Sequence, residues 1–223
     1  SLASFKNLTH FKISSYLYRF KSPKTLHRLF HSLLQLPKLT SLSLNLVMCA
    51  GFDLNECKIL ASYLSKLVKL SNLHLGFDRF SLRDDNQSIQ SLSYILPSLC
   101  NVKQLVFNLS GKKFIKEQTL FQLCMDLQSM KALSDLTLDL SFDTITHQEH
   151  EESFAEGLTC LSSSSIRKLS LFLPNNYNKK SLVKISQTLK KFTGLNILHL
   201  HFFSSGTITD EEMSRLGLSL KHL

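Results

Sequence analysis

A short block in which apolar residues alternate with polar ones recurs along the chain. In its clearest copy, Leu136, Leu138 and Leu140 alternate with Thr137 and Asp139. A period of two places alternate side chains on opposite faces of a β-strand. The block therefore predicts a strand whose leucines face a core.

The block occurs seven times at a nearly fixed spacing. We call the first inward-facing position of each copy its anchor, and the anchors are Phe11, Leu42, Leu73, Leu105, Leu136, Leu169 and Leu198. Successive anchors are 31, 31, 32, 31, 33 and 29 residues apart. Apolar residues also recur three positions before the anchor and two and four positions after it, with Ser15 as the one departure. Agreement at a fixed period predicts a solenoid of stacked repeats.

Between the predicted strands, the apolar spacing changes to that of an amphipathic helix. The helices are predicted at residues 22–36, from 53 or 55 to 67, 84–97, 116–130, 151–161, 180–192 and 210–218. A strand followed by a helix and another strand predicts a parallel α/β sheet. Residues 1–223 are predicted to form a single array of about seven repeats of about 31 residues. Both ends lie inside repeats, which predicts a segment of a longer protein.

The register Leu-x-x-Leu-x-Leu-x-Leu, followed by a polar residue and a helix, resembles the leucine-rich repeat superfamily. The long period with full helices resembles its ribonuclease-inhibitor-like type. The resemblance covers essentially the whole chain. It implies a horseshoe with the parallel sheet on the concave face, the helices on the convex face, and protein recognition as the common role. The motif is specific for the fold and weak for function.

The chain departs from this family in one column. Five residues after the middle leucine the family usually has Asn or Cys, and here the column contains Tyr18, Cys49, Phe80, Lys112, Asp143, Asn176 and Ser205. Only Cys49, Asp143, Asn176 and Ser205 are suited to bond neighbouring turns. We therefore expect a less regular curvature around Phe80 and Lys112.

The side chains between the leucines are predicted to face solvent in three rows. The first row is His10, Ser41, Asn72, Gln104, Asp135, Lys168 and Ile197; the second is Lys12, Ser43, His74, Val106, Thr137, Ser170 and His199; the third is Ser14, Asn45, Gly76, Asn108, Asp139, Phe172 and His201.

The candidate protein-binding face within these rows is Lys12, Ser43, Asn45, Asn72, His74, Gln104, Asn108, Asp135, Asp139, Lys168, Phe172, His199 and His201. Phe172, expected to be exposed among polar neighbours, is the candidate hot-spot residue for binding a partner. The alternatives are that this face is merely solvated, or that the helical side and the ends of the array make the main contacts.

Charge is distributed unevenly. The formal net charge is +9, and residues 1–52 carry seven Lys and Arg with no Asp or Glu. This asymmetry favours an acidic partner near the N-terminal end. A candidate basic patch comprises Lys21, Lys24, Arg28, Lys180, Lys184 and Lys191. The alternative reading of such residues is an ordinary solvated helix face.

The sequence offers little for catalysis or metal binding. His199 and His201 are two residues apart on one predicted strand face, but no third ligand is evident nearby, so no metal, cofactor or small-molecule substrate is expected. No phosphate-binding loop or nucleophile motif is present, so an enzyme is not expected. The five cysteines have no paired close spacing and predict reduced thiols in an intracellular, cytoplasmic setting. No transmembrane segment is predicted.

These patterns favour a non-enzymatic protein–protein interaction scaffold or adaptor segment of a larger protein or complex. The alternative hypothesis is a ribonucleoprotein or other polyanion-associated structural component that docks through the basic N-terminal third. A nucleic-acid partner is the less favoured of the two, because the aromatic residues occupy predicted core positions and do not alternate with the basic ones.

Overall fold

A computed structural model gives the architecture of residues 4–16, 23–47, 54–77, 85–110, 115–141, 150–162, 164–173, 179–202 and 209–221. Strands and helices alternate throughout. The strands are β1 (His10–Tyr16), β2 (Ser41–Val47), β3 (Asn72–Gly76), β4 (Gln104–Asn108), β5 (Asp135–Asp139), β6 (Lys168–Leu173) and β7 (Ile197–Phe202). The α-helices are α1 (Pro23–Leu34), α2 (Leu54–Leu64), α3 (Asp85–Ser93), α4 (Glu117–Gln128), α5 (His150–Leu161), α6 (Lys179–Leu189) and α7 (Asp210–Leu220).

The seven strands form one parallel sheet in chain order, β1 to β7. Each predicted anchor pairs with the anchor of the next strand, from Phe11 opposite Leu42 to Leu169 opposite Leu198. The spacing between successive anchors varies from 29 to 33 residues, yet the strand register is unbroken. The difference in length therefore lies in the segments between the strands. The predicted α/β architecture with an all-parallel sheet is confirmed.

The core lies between the sheet and the helices. In β2 to β6 the anchor and the residue two positions later are at most 2% exposed. Apolar residues of the helices, such as Leu60, Leu123 and Leu158, belong to the same buried cluster. Phe11 and Leu198, in the two edge strands, are only partly buried, because each edge strand pairs with a single neighbouring strand.

The predicted helices are present, with ends that differ by a few residues. Pro23 begins α1 as expected, since its missing N–H costs nothing at the first helical position. The prediction that Pro97 ends the third helix is wrong. That helix ends at Ser93, and Leu96–Ser98 form a separate 3-10 helix with Pro97 near its start. Pro97 has no N–H to donate to the carbonyl of Ser93, so the α-helical hydrogen-bond pattern cannot continue through it.

No helix in the described ranges has both the length and the apolar composition needed to cross a membrane. The longest of them span 12 residues, whereas a membrane-spanning helix needs about 20. Their role here is to cover one face of the sheet.

A ladder of backbone carbonyls joins the repeats where each strand begins. The carbonyl two residues before an anchor accepts two N–H groups of the next repeat: Thr9 O, for example, accepts from Thr40 N at 2.9 Å and from Ser41 N at 3.0 Å. The same double acceptance occurs at the carbonyls of Thr40, Ser71, Lys103, Ser134 and Arg167. We call this the strand-start ladder. It satisfies backbone groups that would otherwise be unpaired between the repeats.

Side chains reinforce the strand-start ladder. Hydroxyls at the same position donate to the same carbonyls, with Ser71 Oγ 3.1 Å from Thr40 O and Ser134 Oγ 3.3 Å from Lys103 O. Two positions earlier in the repeat, Lys38 Nζ donates to Asn7 Oδ1 at 2.8 Å. The family-type column at the other end of the strands, from Tyr18 to Ser205, lies outside the described residues, as does the predicted irregularity at Phe80 and Lys112.

Helices α4 and α5 approach closely at a glycine. A Cβ built on Gly157 would lie 2.9 Å from Cys124 Cβ and 3.0 Å from Cys124 Sγ. Both residues are buried. The missing side chain at Gly157 therefore makes room for the Cys124 side chain between the two helices.

We predict that Leu138→Ala lowers the free energy of unfolding by about 2–5 kcal/mol. Leu138 is 0% exposed in the central part of the sheet, so truncation leaves a cavity that two neighbouring repeats share. Leu200→Ala, at the equivalent position of the edge strand β7, where the leucine is only partly buried, is the matched control and should cost less. Chemical denaturation measures both. An unchanged midpoint for Leu138→Ala would contradict the core assignment.

We also predict opposite effects for two glycine-to-alanine substitutions in helices. Gly157→Ala should destabilise the protein by about 1–3 kcal/mol because it overpacks the contact with Cys124. Gly217→Ala in α7 has no atom within 4 Å of the added Cβ, so improved helix propensity should stabilise it by up to about 1 kcal/mol. Thermal unfolding of both variants tests the pair, and a stabilising Gly157→Ala would refute the close α4–α5 contact.

Candidate protein-binding face of the sheet

The three predicted rows exist in the folded chain. Strand pairing aligns His10 with Ser41, Asn72, Gln104, Asp135, Lys168 and Ile197, and it aligns the second and third rows in the same way. The leucines between these rows pack on the helices, so the rows lie on the opposite side. We call the surface formed by the three rows the open sheet face.

At its β1 end the open sheet face is basic. Lys12, Ser43 and His74 hold the same row position on β1, β2 and β3, and Lys12 is exposed. Ser43 Oγ lies 3.3 Å from His74 Nδ1. Burial lowers the pKa of His74 below its ordinary value, and the positive charge of Lys12 lowers it further. Burial and the charge of Lys12 therefore both disfavour the protonated form of His74.

A second serine–histidine pair repeats this contact near the other end of the same row. Ser170 Oγ lies 3.2 Å from His199 Nδ1 on the next strand. Val106 and Thr137 hold the intervening row positions on β4 and β5, so the two pairs are separate. The sequence gives both pairs only as neighbours across strands, because a hydrogen bond between them depends on the side-chain rotamers.

The acidic part of the open sheet face is partly neutralised. Asp135 Oδ2 lies 3.1 Å from Lys168 Nζ on the neighbouring strand. The two side chains are 22% and 37% exposed, and ion pairs in contact with water add little stability. The pair mainly removes the uncompensated charge of Asp135 from this surface.

Two candidate contact residues in the third row have a structural role. Asn108 Oδ1 accepts a hydrogen bond from Ser110 N at 2.8 Å, and Asp139 Oδ1 accepts from Ser141 N at 3.0 Å. Both side chains therefore turn the chain out of its strand, as Asn and Asp commonly do. In the same row, Asn45 leans over Gly76, where a Cβ would lie 2.5 Å from Asn45 Oδ1.

Phe172 is more enclosed than the sequence predicts. It is half-buried, and its ring stacks on that of His201 with centroids 3.9 Å apart and planes 5° apart. The expectation of an exposed phenylalanine is therefore only partly correct. His201 is exposed, and the stacked pair gives aromatic surface to this part of the open sheet face.

The histidines at the β7 end do not complete a metal site. The rings of His199 and His201 are 6.4 Å apart and cross at 78°. Among the residues that the structure describes, no group of three or more His, Cys, Asp or Glu side chains could hold a metal ion.

The candidate basic patch is divided between two distant helices. Lys24 and Arg28 are exposed on α1, whereas Lys184 lies on α6 and Lys191 just after it. Helix α1 packs against α2, and α6 packs against α5 and α7, so four helices separate the two groups. Lys180 lies in α6 without a described side chain, and Lys21 lies outside the described residues.

The α6 group also has an acidic neighbour. Lys184 and Lys191 line a groove of about 240 Å³ between α5 and α6, together with Glu156 and Thr159. A carboxylate in this groove lowers its attraction for an anion. The α6 group is therefore the weaker of the two basic surfaces.

The described part of the helical side also carries a surface that the sequence does not predict. A groove of about 580 Å³ lies between α2 and α3 and is lined by Lys58, Ala61, Gln90, Tyr94 and other residues. Tyr94 is 82% exposed at its rim. The sequence indication of this groove is Tyr94, which lies outside the apolar core positions of the third helix.

The described cysteines are free thiols. Burial raises the pKa of Cys124 to about 12, with a smaller contribution from the Cys160 thiol. The thiolate is the reactive form of cysteine, so Cys124 is a packing residue. Cys49 lies outside the described residues.

Compared with models of protein families and with curated proteins, the chain matches none. The open sheet face is therefore interpreted from its own chemistry.

We predict that Lys12→Gln raises the pKa of His74, because it removes the smaller of the two causes that lower it. The pKa should stay below 6.5, since burial remains. Histidine resonances followed by NMR across pH measure the change. Lys24→Gln on α1 is the matched control and should leave His74 unchanged.

The same shift gives a sign for the pH dependence of stability. A histidine whose folded pKa is lowered takes up a proton more readily when unfolded, so His74 lowers stability as pH falls below 6.5. This loss should be smaller in Lys12→Gln, and an equal loss in both proteins would contradict the influence of Lys12.

Proposed function

We propose that this chain is a leucine-rich-repeat solenoid and acts as a non-enzymatic protein-interaction module, a scaffold or adaptor segment of a larger intracellular protein or complex. Its open sheet face would bind an extended part of a partner polypeptide. The observation that carries this proposal is the unbroken strand register, which holds three rows of polar and aromatic side chains in fixed positions on the side away from the helices.

The horseshoe shape of such a solenoid is supported by the different widths of its two layers. Neighbouring strands are about 4.8 Å apart, whereas packed helices need about 8–10 Å. A sheet with all its helices on one side relieves this mismatch by curving with the sheet inward. The open sheet face would then be concave, which increases the surface that an extended partner can contact.

The chemistry of the open sheet face suits a polypeptide segment whose two ends differ in charge and polarity. Lys12 has no ion-pair partner among the described residues, amides and hydroxyls occupy the middle strands, and the stacked Phe172 and His201 rings add aromatic surface. Asp135 is already paired with Lys168. A partner segment with acidic residues at one end and apolar or aromatic residues at the other would complement this order.

The alternative, a polyanion-associated component, is supported by the charge of the N-terminal part of the chain. Residues 1–52 lack Asp and Glu, and Lys24 and Arg28 are exposed on α1. Binding of this kind weakens steeply with salt. The separation of α1 from α6 reduces the number of phosphates that a single nucleic-acid segment could contact.

The proposal is tested with a matched pair of glutamine substitutions. Gln104 is exposed on the open sheet face and Gln118 is exposed on α4. Wild-type, Gln104→Arg and Gln118→Arg chains are used to capture partners from the native extract, with and without nuclease, and the contacts are mapped by cross-linking. We expect Gln104→Arg to weaken capture about tenfold or more, equivalent to about 1.4 kcal/mol, and Gln118→Arg to leave it unchanged.

The sites of cross-linking decide between the two functions. Nuclease-resistant partners cross-linked near Lys12 and Lys168 would support binding at the open sheet face. Partners that are lost with nuclease and cross-link at Lys24 or Lys184 would overturn the proposal in favour of the polyanion-associated function. Equal capture by the two glutamine variants would also contradict it.

A further inference from the structure

Three polar groups with complementary hydrogen-bonding roles lie side by side at the β1 end of the open sheet face. Lys12, Ser43 and His74 occupy adjacent positions of one row. Strands are about 4.8 Å apart, so the row spans about 10 Å across three strands. Lys12 supplies a flexible ammonium donor, Ser43 a hydroxyl, and His74 an imidazole whose Nδ1 is engaged by Ser43 at 3.3 Å. That contact leaves Nε2 of His74 for a ligand.

Among the described residues, no carboxylate pairs with Lys12, Ser43 or His74. Neighbouring positions on β1, β2 and β4 hold His10, Asn45, Gln104 and Asn108, none of them acidic. The 52 N-terminal residues contain no Asp or Glu.

The nearest acidic residues of the open sheet face are not ion-paired with Lys12. Asp135 and Asp139 lie on β5, two strands beyond His74. Asp135 is paired with Lys168, and Asp139 accepts hydrogen bonds from Ser141. Within the described part of the open sheet face, Lys12 therefore has no acidic partner.

We propose that Lys12, Ser43 and His74 form a binding site for a phosphate monoester, supplied by a phosphorylated serine or threonine of the polypeptide that binds along the open sheet face. This inference rests on the proposed function and adds a modified partner to it. A phosphate monoester carries a charge of about −1.5 to −2 and three acceptor oxygens. Lysine, hydroxyl and imidazole donors match those acceptors, and charge-assisted hydrogen bonds are the stronger kind.

Proton uptake at His74 couples to this binding. In the free protein burial and Lys12 lower the pKa of His74. A bound phosphate dianion opposes the effect of the Lys12 charge on the pKa of His74, because the protonated imidazole then lies next to a negative charge. By linkage, the phosphate dianion raises the pKa of His74, and protonation of His74 strengthens binding of the dianion by the same factor.

The Ser170–His199 pair provides a control within the same chain. Its contact of 3.2 Å matches that of Ser43 and His74. On β5, Thr137 holds the row position that corresponds to Lys12, so this pair lacks the lysine. An effect of phosphate on any exposed histidine would appear at both pairs, whereas a built site would respond at His74 alone.

The first test uses the full chain and inorganic phosphate. Histidine resonances are titrated with pH by NMR in phosphate and in chloride of equal ionic strength, because screening by salt also weakens the effect of Lys12. We expect phosphate to raise the pKa of His74 by about one unit, which corresponds to about tenfold tighter binding to the protonated form. His199 should shift much less, and Lys12→Gln should abolish the difference between phosphate and chloride. Equal responses of the two histidines would overturn the site.

The second test identifies the source of the phosphate. A short neutral peptide with one phosphoserine, its unphosphorylated twin, and vesicles containing phosphatidic acid are compared as ligands. Preference for the phosphopeptide of about tenfold or more, lost in Lys12→Gln and in Ser43→Ala, is expected. Binding to the vesicles without binding to the phosphopeptide would overturn the inference.

Failure of this inference is distinguishable from failure of the proposed function. If phosphate and phosphopeptide do not bind but Gln104→Arg still impairs capture of partners, the open sheet face binds polypeptides and the phosphate site is refuted. If Gln104→Arg and Gln118→Arg behave alike, the proposed function itself is refuted.

Discussion

The arrangement of the sheet depends on one backbone carbonyl per repeat that accepts two N–H groups from the next repeat. This strand-start ladder, from Thr9 to Arg167, links the repeats in sequence. Because these bonds form immediately before the strands, each strand starts in register with its neighbour. A slip of one residue would expose the leucines and bury the polar rows. The ladder and the leucine core therefore specify the same register, one by hydrogen bonding and the other by burial.

That agreement explains how much of the fold the sequence predicts. The apolar columns around anchors such as Leu136 identify the strands and their alignment. In a strand with one buried face, each side chain points either to the core or to solvent, so the alternation assigns every position to one face. Helix ends are less certain, as the early end of α3 at Ser93 demonstrates. The strand-start hydroxyls at Thr40, Ser71 and Ser134 are visible in the sequence as a column, but their acceptors appear only once the repeats are stacked.

The candidate site is predictable to a lesser degree, for physical reasons. Row membership follows from the strand period, so the placement of Lys12, Ser43 and His74 in one row was predictable. What each side chain does depends on its rotamer and on its neighbours across strands. Asn108 and Asp139 have the residue types of a contact surface, yet their oxygens are bonded to the turns that end β4 and β5. Phe172 likewise meets His201 because parallel pairing places them opposite each other.

The open sheet face is consequently uneven in what it leaves for a partner. Where unlike charges are opposite each other, as at Asp135 and Lys168, the protein satisfies itself and a ligand must displace an existing contact. At Lys12 and His74, burial and the charge of the lysine both lower the pKa of the histidine, so protonation of the imidazole is disfavoured in the free protein. An anionic ligand offsets the charge of Lys12 and accepts hydrogen bonds from this row, so both effects favour its binding. This difference in charge pairing, and not exposure alone, makes the β1 end the part of the open sheet face where a charged partner is expected to bind most favourably.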